Sequence, residues 1–459
     1  MNAAQLQSSV AMGDMSDMDD MGAFISQTFD TAWQLHAAGR LAEAEEQYRL
    51  LLALDEEHAP GMHYLGILLH QGGDQEEALA WLQAAQQRQP DNAEWRNDVG
   101  NVMFALQRFE DAVTAYQAAL ALRPDDAQLW SNCGAAMHQA GRAAEAIQAC
   151  LRALELAPDF VPAMQQLAAL FAQGGDRMRS AYYECMAYVL PPHEGKSKEL
   201  LGTSYYFLGR LGEAEQLCLQ WLQEEPGHPV AQHMLAAYGG RLTPAAPAGY
   251  VERRFDEYAD NFDVNLVQQL GYRGPEVVAA LLDIARHNRG DAADILDIGC
   301  GTGLCAPVLA PHARRLDGVD LSENMLRHAA ARGLYTRLDK AEAAAWMAQL
   351  ECQYDVLVAC DVVIYCGRLE PLFSAARHAL RADCCFNLTA EAAPDVSGDE
   401  GEEGYQLHPS GRYRHQAAYV ERSLRAAGFS VQLMRSESIR VEMGEPVPGL
   451  AVLAVPTRV

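Results

Sequence analysis

The chain is short of basic side chains: 35 Lys and Arg stand against 62 Asp and Glu in 459 residues, a formal charge of −27. Cationic contacts to phosphate dominate nucleic-acid affinity, so this balance excludes a duplex-wrapping protein, and it also opposes an anionic membrane surface. No run of about 18 apolar residues occurs, so no membrane span is expected. The first residues, MNAAQLQSSVAMGDMSDMDDMGAF, lack the basic and apolar stretches of a secretory signal. The 11 cysteines are odd in number and form no paired CxxC clusters, which fits a reduced interior better than a disulfide framework. Together these absences predict a cytoplasmic protein.

What is present is too much chain for one core, since about 150 residues per domain gives about three domain-sized units. With 49% hydrophobic and 21% charged residues it is globular in composition. The acidity is uneven: residues 1–250 hold 14 basic and 32 acidic side chains, and residues 251–459 hold 21 and 30. Methionines 12, 15, 18 and 21 alternate with aspartates. Thioethers at that spacing are able to hold Cu(I), but residues 1–24 read as a disordered acidic tail, and no metal is expected.

A period of 34 governs the first half. Prolines recur at 90, 124, 158, 192 and 226, small residues at Ala44, Ala78, Ala112, Ala146, Ser180 and Ala214, and glycines at 66, 100, 134 and 202 with Ala168 between. Three series in phase imply one supersecondary unit per period, two antiparallel helices that approach closely at the small residues. Breaks such as AAGRLAEA, QGGDQEEA and LQRFEDA mark the turns. This pattern resembles the tetratricopeptide (TPR) repeat family, about six repeats and a capping helix over residues 25–240. The fifth is the least regular, with Ser180 for Ala and a PPHEGKSK insertion. The resemblance implies an α-solenoid of helix pairs whose groove takes a protein or peptide partner.

Residues 241–250, RLTPAAPAGY, read as a linker. From 251 to 459 short apolar runs alternate with amphipathic segments, the pattern of a parallel sheet covered by helices. Strands are expected at 293–298, 314–320, 334–339, 354–360 and 384–389. Two longer runs at 429–443 and 449–456, with no helix between them, should form an antiparallel hairpin.

The stretch LDIGCGTGLC (296–305) follows the first strand. Gly299, Gly301 and Gly303 allow a tight turn and close approach to a ligand. Asp320, ending the next strand, is placed to accept ribose hydroxyls. Dinucleotide binders carry a third glycine where this chain has Leu304, and Asp297 brings a carboxylate towards the ligand, which suits a cation better than a pyrophosphate.

These residues resemble the class I S-adenosylmethionine (SAM) dependent methyltransferases, and the likeness covers most of 251–459. It implies a Rossmann-like seven-stranded sheet with an antiparallel C-terminal hairpin. It also implies SAM as cofactor, held by Asp297, Gly299, Cys300, Gly301, Thr302 and Gly303, by Asp320, Leu321 and Met325, by Ala341 and Glu342 at the adenine edge, and by Asp361 and Val362. The segment FDEYADNFD (255–263) resembles the helix that folds over the cofactor, with Tyr258 and Phe262 on one face. The whole chain is similar to the bacterial predicted TPR-methyltransferases.

Candidates for proton transfer lie after the fifth strand: Glu391, and then His408 and His415 in YQLHPSGRYRH, histidine being suited to accept a proton near neutrality. The preceding SGDEGEEG reads as a solvated loop. CDVVIYC replaces the NPPY-like segment of nucleic-acid amino methyltransferases, and no cysteine has the setting of a cytosine-C5 nucleophile, so nucleic acid is not expected as a partner. The expected function is methyl transfer to an O or N acceptor on a protein, peptide or carrier-bound substrate recruited by the repeats. The alternative is an interaction scaffold whose methyltransferase-like domain is regulatory or inactive. Oligomeric state is left open.

Overall fold

A computed structural model describes residues 15–264, 266, 270–286, 292–394, 403–442 and 444–457. It divides into two compact units, Met1–Leu190 and Pro191–Val459. Among the described residues no helix is long and apolar enough to cross a membrane.

The first unit is helical: α1 (Met15–Ala37), α2 (Leu41–Leu54), α3 (Ala59–Gly72), α4 (Gln75–Arg88), α5 (Ala93–Ala105), α6 (Phe109–Leu122), α7 (Ala127–Gln139), α8 (Ala143–Leu156), α9 (Val161–Gln173) and α10 (Arg177–Tyr188). Side-chain caps start several of them. Asp74 accepts from the Glu77 amide, Asn92 from those of Glu94 and Trp95, and Asp126 from those of Gln128 and Leu129. Gly66 explains its own series: a Cβ there would lie 2.6 Å from Leu82 Cγ and 3.1 Å from the Ala78 carbonyl, so only glycine lets α3 approach α4 this closely. Ala44, Ala78, Ala112 and Ala146 are all fully buried.

Helix α1 begins at Met15, ten residues earlier than the expected start of the array, while residues 1–14 lie outside the described part. The helix runs through positions 17, 19 and 20, so the acidic run does not prevent a helix.

The second unit opens with α11 (Lys198–Phe207), α12 (Leu211–Glu224) and α13 (Pro229–Tyr238). The segment read as a linker is engaged rather than free. Ala245 bridges Cys366 in antiparallel fashion, the Ala246 amide donates to the Tyr365 carbonyl (2.9 Å), and the Arg368 amide donates to that of Pro244 (2.8 Å). Helices α14 (Ala248–Tyr258) and α15 (Gly274–Arg286) follow, then a sheet of nine strands: β1 (Ala293–Ile298), β2 (Ala313–Asp320), β3 (Arg337–Lys340), β4 (Tyr354–Ala359), β5 (Leu380–Ala392), β6 (Tyr405–Leu407), β7 (Tyr413–His415), β8 (Phe429–Glu442) and β9 (Glu445–Pro456). Between them run α16 (Glu323–Ala331), α17 (Glu370–Ala379) and α18 (Ala417–Ala426).

Strands β3-β2-β1-β4-β5 pair in parallel, β9 joins β5 antiparallel, and β8 closes the hairpin with β9. These seven are the expected set. Strands β6 and β7 are additional, three residues each and too short to show alternation in sequence. They attach where β5 runs past β4, pairing Glu391 with Arg414 and Ala392 with His415. Strand β1, ADILDI, is buried along nearly its whole length, as a parallel strand covered on both faces must be, with Asp294 and Asp297 as its two buried carboxylates. The loops after β1, β2 and β4 therefore gather at the carboxyl edge, where open α/β sheets take ligands.

Candidate functional site

The turn after β1 is closed by its own backbone: the Cys300 amide donates to Val319 (3.1 Å) and the Gly303 amide to the Cys300 carbonyl (2.8 Å). Gly299 (φ 61°) has no room for a side chain, since a Cβ would lie 2.6 Å from Val362 Cγ2. At Gly301 (φ 54°) the opposite holds: no other atom comes within 4 Å of that position, so the backbone faces open space. Asp320 spans the loop, accepting from the Gly301 amide (2.9 Å) and the Ser322 amide (2.8 Å). Each of its oxygens retains acceptor capacity for a hydroxyl.

Asp297 is 2% exposed and its Oδ2 accepts from the Tyr335 phenol at 2.6 Å. Burial pushes its carboxyl up to about 7, against the Tyr335 hydrogen bond and with the help of nearby Asp320. Asp320 is likewise raised by burial, the Ser322 and Gly301 amides opposing. A buried and a half-buried carboxylate, neither with a cation on it among the described residues, beside an open glycine turn, fit a ligand that brings positive charge and vicinal hydroxyls. They do not fit a pyrophosphate.

Helix α14 and the turn after it strap this loop. Asp256 accepts from Ser322 Oγ (2.5 Å) and from the Asn324 amide (3.3 Å), Asp260 meets His328 at 3.1 Å, and Asp263 accepts from Thr302 Oγ1 and pairs with Arg332. Arg332 also donates to the Thr302 carbonyl at 2.6 Å. Phe262 packs on Phe255 with ring centroids 5.8 Å apart, and Phe255 in turn meets Tyr365. Tyr258 belongs to α14, and its side chain lies outside the described part.

Other expected cofactor positions surround the same edge. Met325 is fully buried, with its amide on Ser322 Oγ (3.1 Å), and Leu321 is half-buried. The Ala341 amide donates to the Asp320 carbonyl at 3.0 Å. The Glu342 carboxylate is occupied as the N-cap of the short helix 343–347, accepting from the amides of Ala344 and Ala345.

Past β4 and β5 lies an ion-pair network that sequence reading located only in part. Glu391, fully buried, accepts from Arg412 Nε (2.7 Å) and Arg414 Nε (3.4 Å) and pairs with Arg440. Arg440, 3% exposed, also holds Asp361 Oδ2 and Glu442 Oε1, each at 2.7 Å, and Arg412 pairs with Glu442. Three carboxylates thus balance three guanidiniums. Repeat helices of this unit border the network: Tyr206 of α11 meets the His408 ring at 6.1 Å, and His233 of α13 binds the Gly411 carbonyl at 2.8 Å.

The three candidate bases occupy different settings. Glu391 has its oxygens committed to arginines. His408 is part-buried, contacts Ser410 Oγ (2.9 Å), and is pushed down to about 4 by burial. His415, expected as a proton acceptor, is instead fully buried: its Nε2 sits 2.8 Å from the Cys366 carbonyl, and its ring stacks on Tyr419. Burial lowers it to about 4. Strand alternation is the cause, since Tyr413 and His415 share the buried face of β7 while Arg414 takes the other. SGDEGEEG (397–404) falls mostly outside the described residues.

Comparison with known proteins agrees with this layout. Residues 29–93 match a tetratricopeptide repeat model, residues 100–141 a TPR repeat model, and residues 296–386 a methyltransferase domain model. The chain is 42% identical over 85 residues to human methyltransferase-like protein 27 (18% of this chain, 34% of that one). It is 29% identical over 110 residues to the Saccharomyces cerevisiae probable S-adenosylmethionine-dependent methyltransferase CRG1 (23% and 38%). The chain thus spans just over a third of the length of these curated relatives. A solved Burkholderia thailandensis 1,6-didemethyltoxoflavin-N1-methyltransferase is 17% identical, covering 48% of this chain and 94% of its own, with a TM-score of 0.36. The chain carries tetratricopeptide repeats and a methyltransferase domain.

Proposed function

We propose that the protein is a SAM-dependent methyltransferase acting on a protein, peptide or carrier-bound acceptor that its repeats recruit. One observation carries the reading: Asp297, buried, and Asp320, half-buried, flank an open glycine turn, and among the described residues neither carboxylate has a cationic partner. SAM supplies a methyl group on a positively charged sulfur, together with an amino group and a ribose. Asp320 is placed to take the ribose hydroxyls, Asp297 to balance positive charge, and Gly301 to leave backbone exposed to the ligand. The strap held by Asp256 and Asp263 fixes the shape of the loop beneath it.

Recruitment by the array rests on the helix pairs of the first unit, since stacked repeats generally present an extended binding groove. The test is capture on residues 15–190 followed by transfer from methyl-labelled SAM. The reading predicts label in the captured material with the full chain and much less with a chain lacking 1–190. Intact SAM binding with no labelled product in either case favours the scaffold alternative.

A further inference from the structure

One guanidinium of the network past β5 has donors left over. Arg440 reaches Asp361, Glu391 and Glu442, and Arg412 reaches Glu391 and Glu442, so both of these forks are taken up. Arg414 makes a single long contact, from Nε to Glu391 Oε2 at 3.4 Å. Its two terminal nitrogens form no hydrogen bond among the described residues, and 24% of its side chain is exposed. The paired N–H groups at the tip of an arginine match the two oxygens of a carboxylate.

Two further donors face the same place. Gln406 pairs with Arg414 across the β6–β7 hairpin, and the His408 amide donates to the Arg412 carbonyl at 2.8 Å. Alternation therefore sets His408, Arg412 and Arg414 on one face, opposite the buried Tyr405, Leu407 and Tyr413. Burial, and after it the charge of Arg414, pushes His408 down to about 4, so its ring is neutral near pH 7. Its Nδ1 accepts from the Ser410 amide at 3.2 Å, which leaves the ring proton on Nε2. Tyr206 of α11 stands edge-on to this ring, and Glu442, Arg412, Arg414 and Glu391 lie near enough to act on its phenol. Neither the Nε2 proton nor the Tyr206 hydroxyl meets an acceptor among the described residues, and neither atom is sealed from solvent.

We propose that Arg414, with His408 Nε2 and the Tyr206 hydroxyl, holds a carboxylate of the methyl acceptor, so that the substrate class is a carboxylate-bearing molecule methylated at another atom. The proposal rests on the methyltransferase reading. Three donors without acceptors call for an anion, and one uncommitted guanidinium answers one negative charge. A phosphate dianion would be opposed by Glu391 and Glu442 in the same network. The carboxylate is a handle rather than the reacting group, because Glu391, Arg440 and Asp361 stand in series between Arg414 and Val362, the residue that packs on Gly299 of the cofactor turn. Tyr206 lies on a helix of the repeat pattern, so this end of the acceptor is read by the repeats as well as by the hairpin.

The test titrates hexanoate, hexanamide and hexyl phosphate by calorimetry into the full chain loaded with S-adenosylhomocysteine. The proposal predicts saturable hexanoate binding, about tenfold tighter than hexanamide and tighter than hexyl phosphate. Arg414→Gln should weaken hexanoate about tenfold while S-adenosylhomocysteine affinity stays unchanged, which shows that the variant is folded. Tyr206→Phe removes only a hydroxyl that has no partner and should weaken hexanoate about threefold, and it carries the test if Arg414→Gln melts early. Equal binding of hexanoate and hexanamide, no hexanoate binding by the wild type, or preference for hexyl phosphate overturns the proposal. Undiminished hexanoate binding in folded Arg414→Gln or in Tyr206→Phe overturns it as well. Failure of the wild type to bind S-adenosylhomocysteine overturns the methyltransferase reading instead, and hexanoate titrated into the ligand-free chain then still reads the carboxylate site on its own.

Discussion

The phenol of Tyr335 donates a 2.6 Å hydrogen bond to Oδ2 of Asp297, joining the segment before β3 to the end of β1 beneath the glycine turn. This contact holds down a carboxyl that burial has raised to about 7. Asp297 is therefore neutral below that pH and negative above it. A cationic cofactor needs the negative form, so SAM affinity should rise with pH through about 7, by at most tenfold per unit on the acid side. Tyr335→Phe removes a bond that favours the charged form and should move the midpoint to higher pH. Calorimetric titrations between about pH 6 and 8 give both curves.

The same carboxyl predicts how the ligand-free fold responds to pH. Its folded value lies above the ordinary aspartate value of 3.8. Its contribution to stability is thus greatest below that ordinary value and is lost as pH rises towards about 7. SAM relieves the buried charge, so the rise in melting temperature that it produces should grow over this interval. A rise independent of pH would show that Asp297 does not face the cofactor's charge.

In the array, positions 39, 73, 141, 175 and 209 are glycines with positive φ, and position 107 of the same series is Gln107 at φ 58°. A left-handed glutamine is strained where glycine is not, so Gln107→Gly should stabilise the first unit by about 1 kcal/mol. Urea unfolding followed by circular dichroism measures this.

Gly100→Ala should do the reverse. Its Cβ would fall 2.6 Å from Tyr116 Cε1, and that ring cannot swing away freely, being 3% exposed and held to Asn101 by its hydroxyl (2.8 Å). Overpacking of this kind costs about 1–3 kcal/mol. The same unfolding assay reads it.

Truncation separates the array from the catalytic unit. Removing residues 1–190 should leave SAM affinity intact. Removing 1–240 should lower the melting temperature sharply, since it deletes the His233 contact to Gly411 and exposes Tyr250 and the Tyr413 face of the β6–β7 hairpin.

Much of this was legible because the relevant residues are close in sequence. LDIGCGTGLC carries its turn within ten residues, the 34-residue period marks each close helix contact, and the parallel strands announce themselves as apolar runs. The rest comes from residues far apart. Arg440 reaches Asp361 across 79 positions, Asp263 reaches Thr302 across 39, and Asp256 reaches Ser322 across 66. A usable signal existed for the first of these, since Arg440 and Glu442 share one face of β8, where an apolar pair would be ordinary. His415 drew attention as a histidine in a polar loop, and only the pairing of β7 with β5 and β6 puts it, with Tyr413, on a buried face.

The most direct test of the account is calorimetric titration of SAM into the full chain and into Asp320→Ala. The variant loses the carboxylate that binds the Gly301 amide and that would take two ribose hydroxyls. The account predicts saturable binding to the wild type and affinity lower by a factor on the order of 100 in the variant. No binding to the wild type, or equal binding to both, would contradict it.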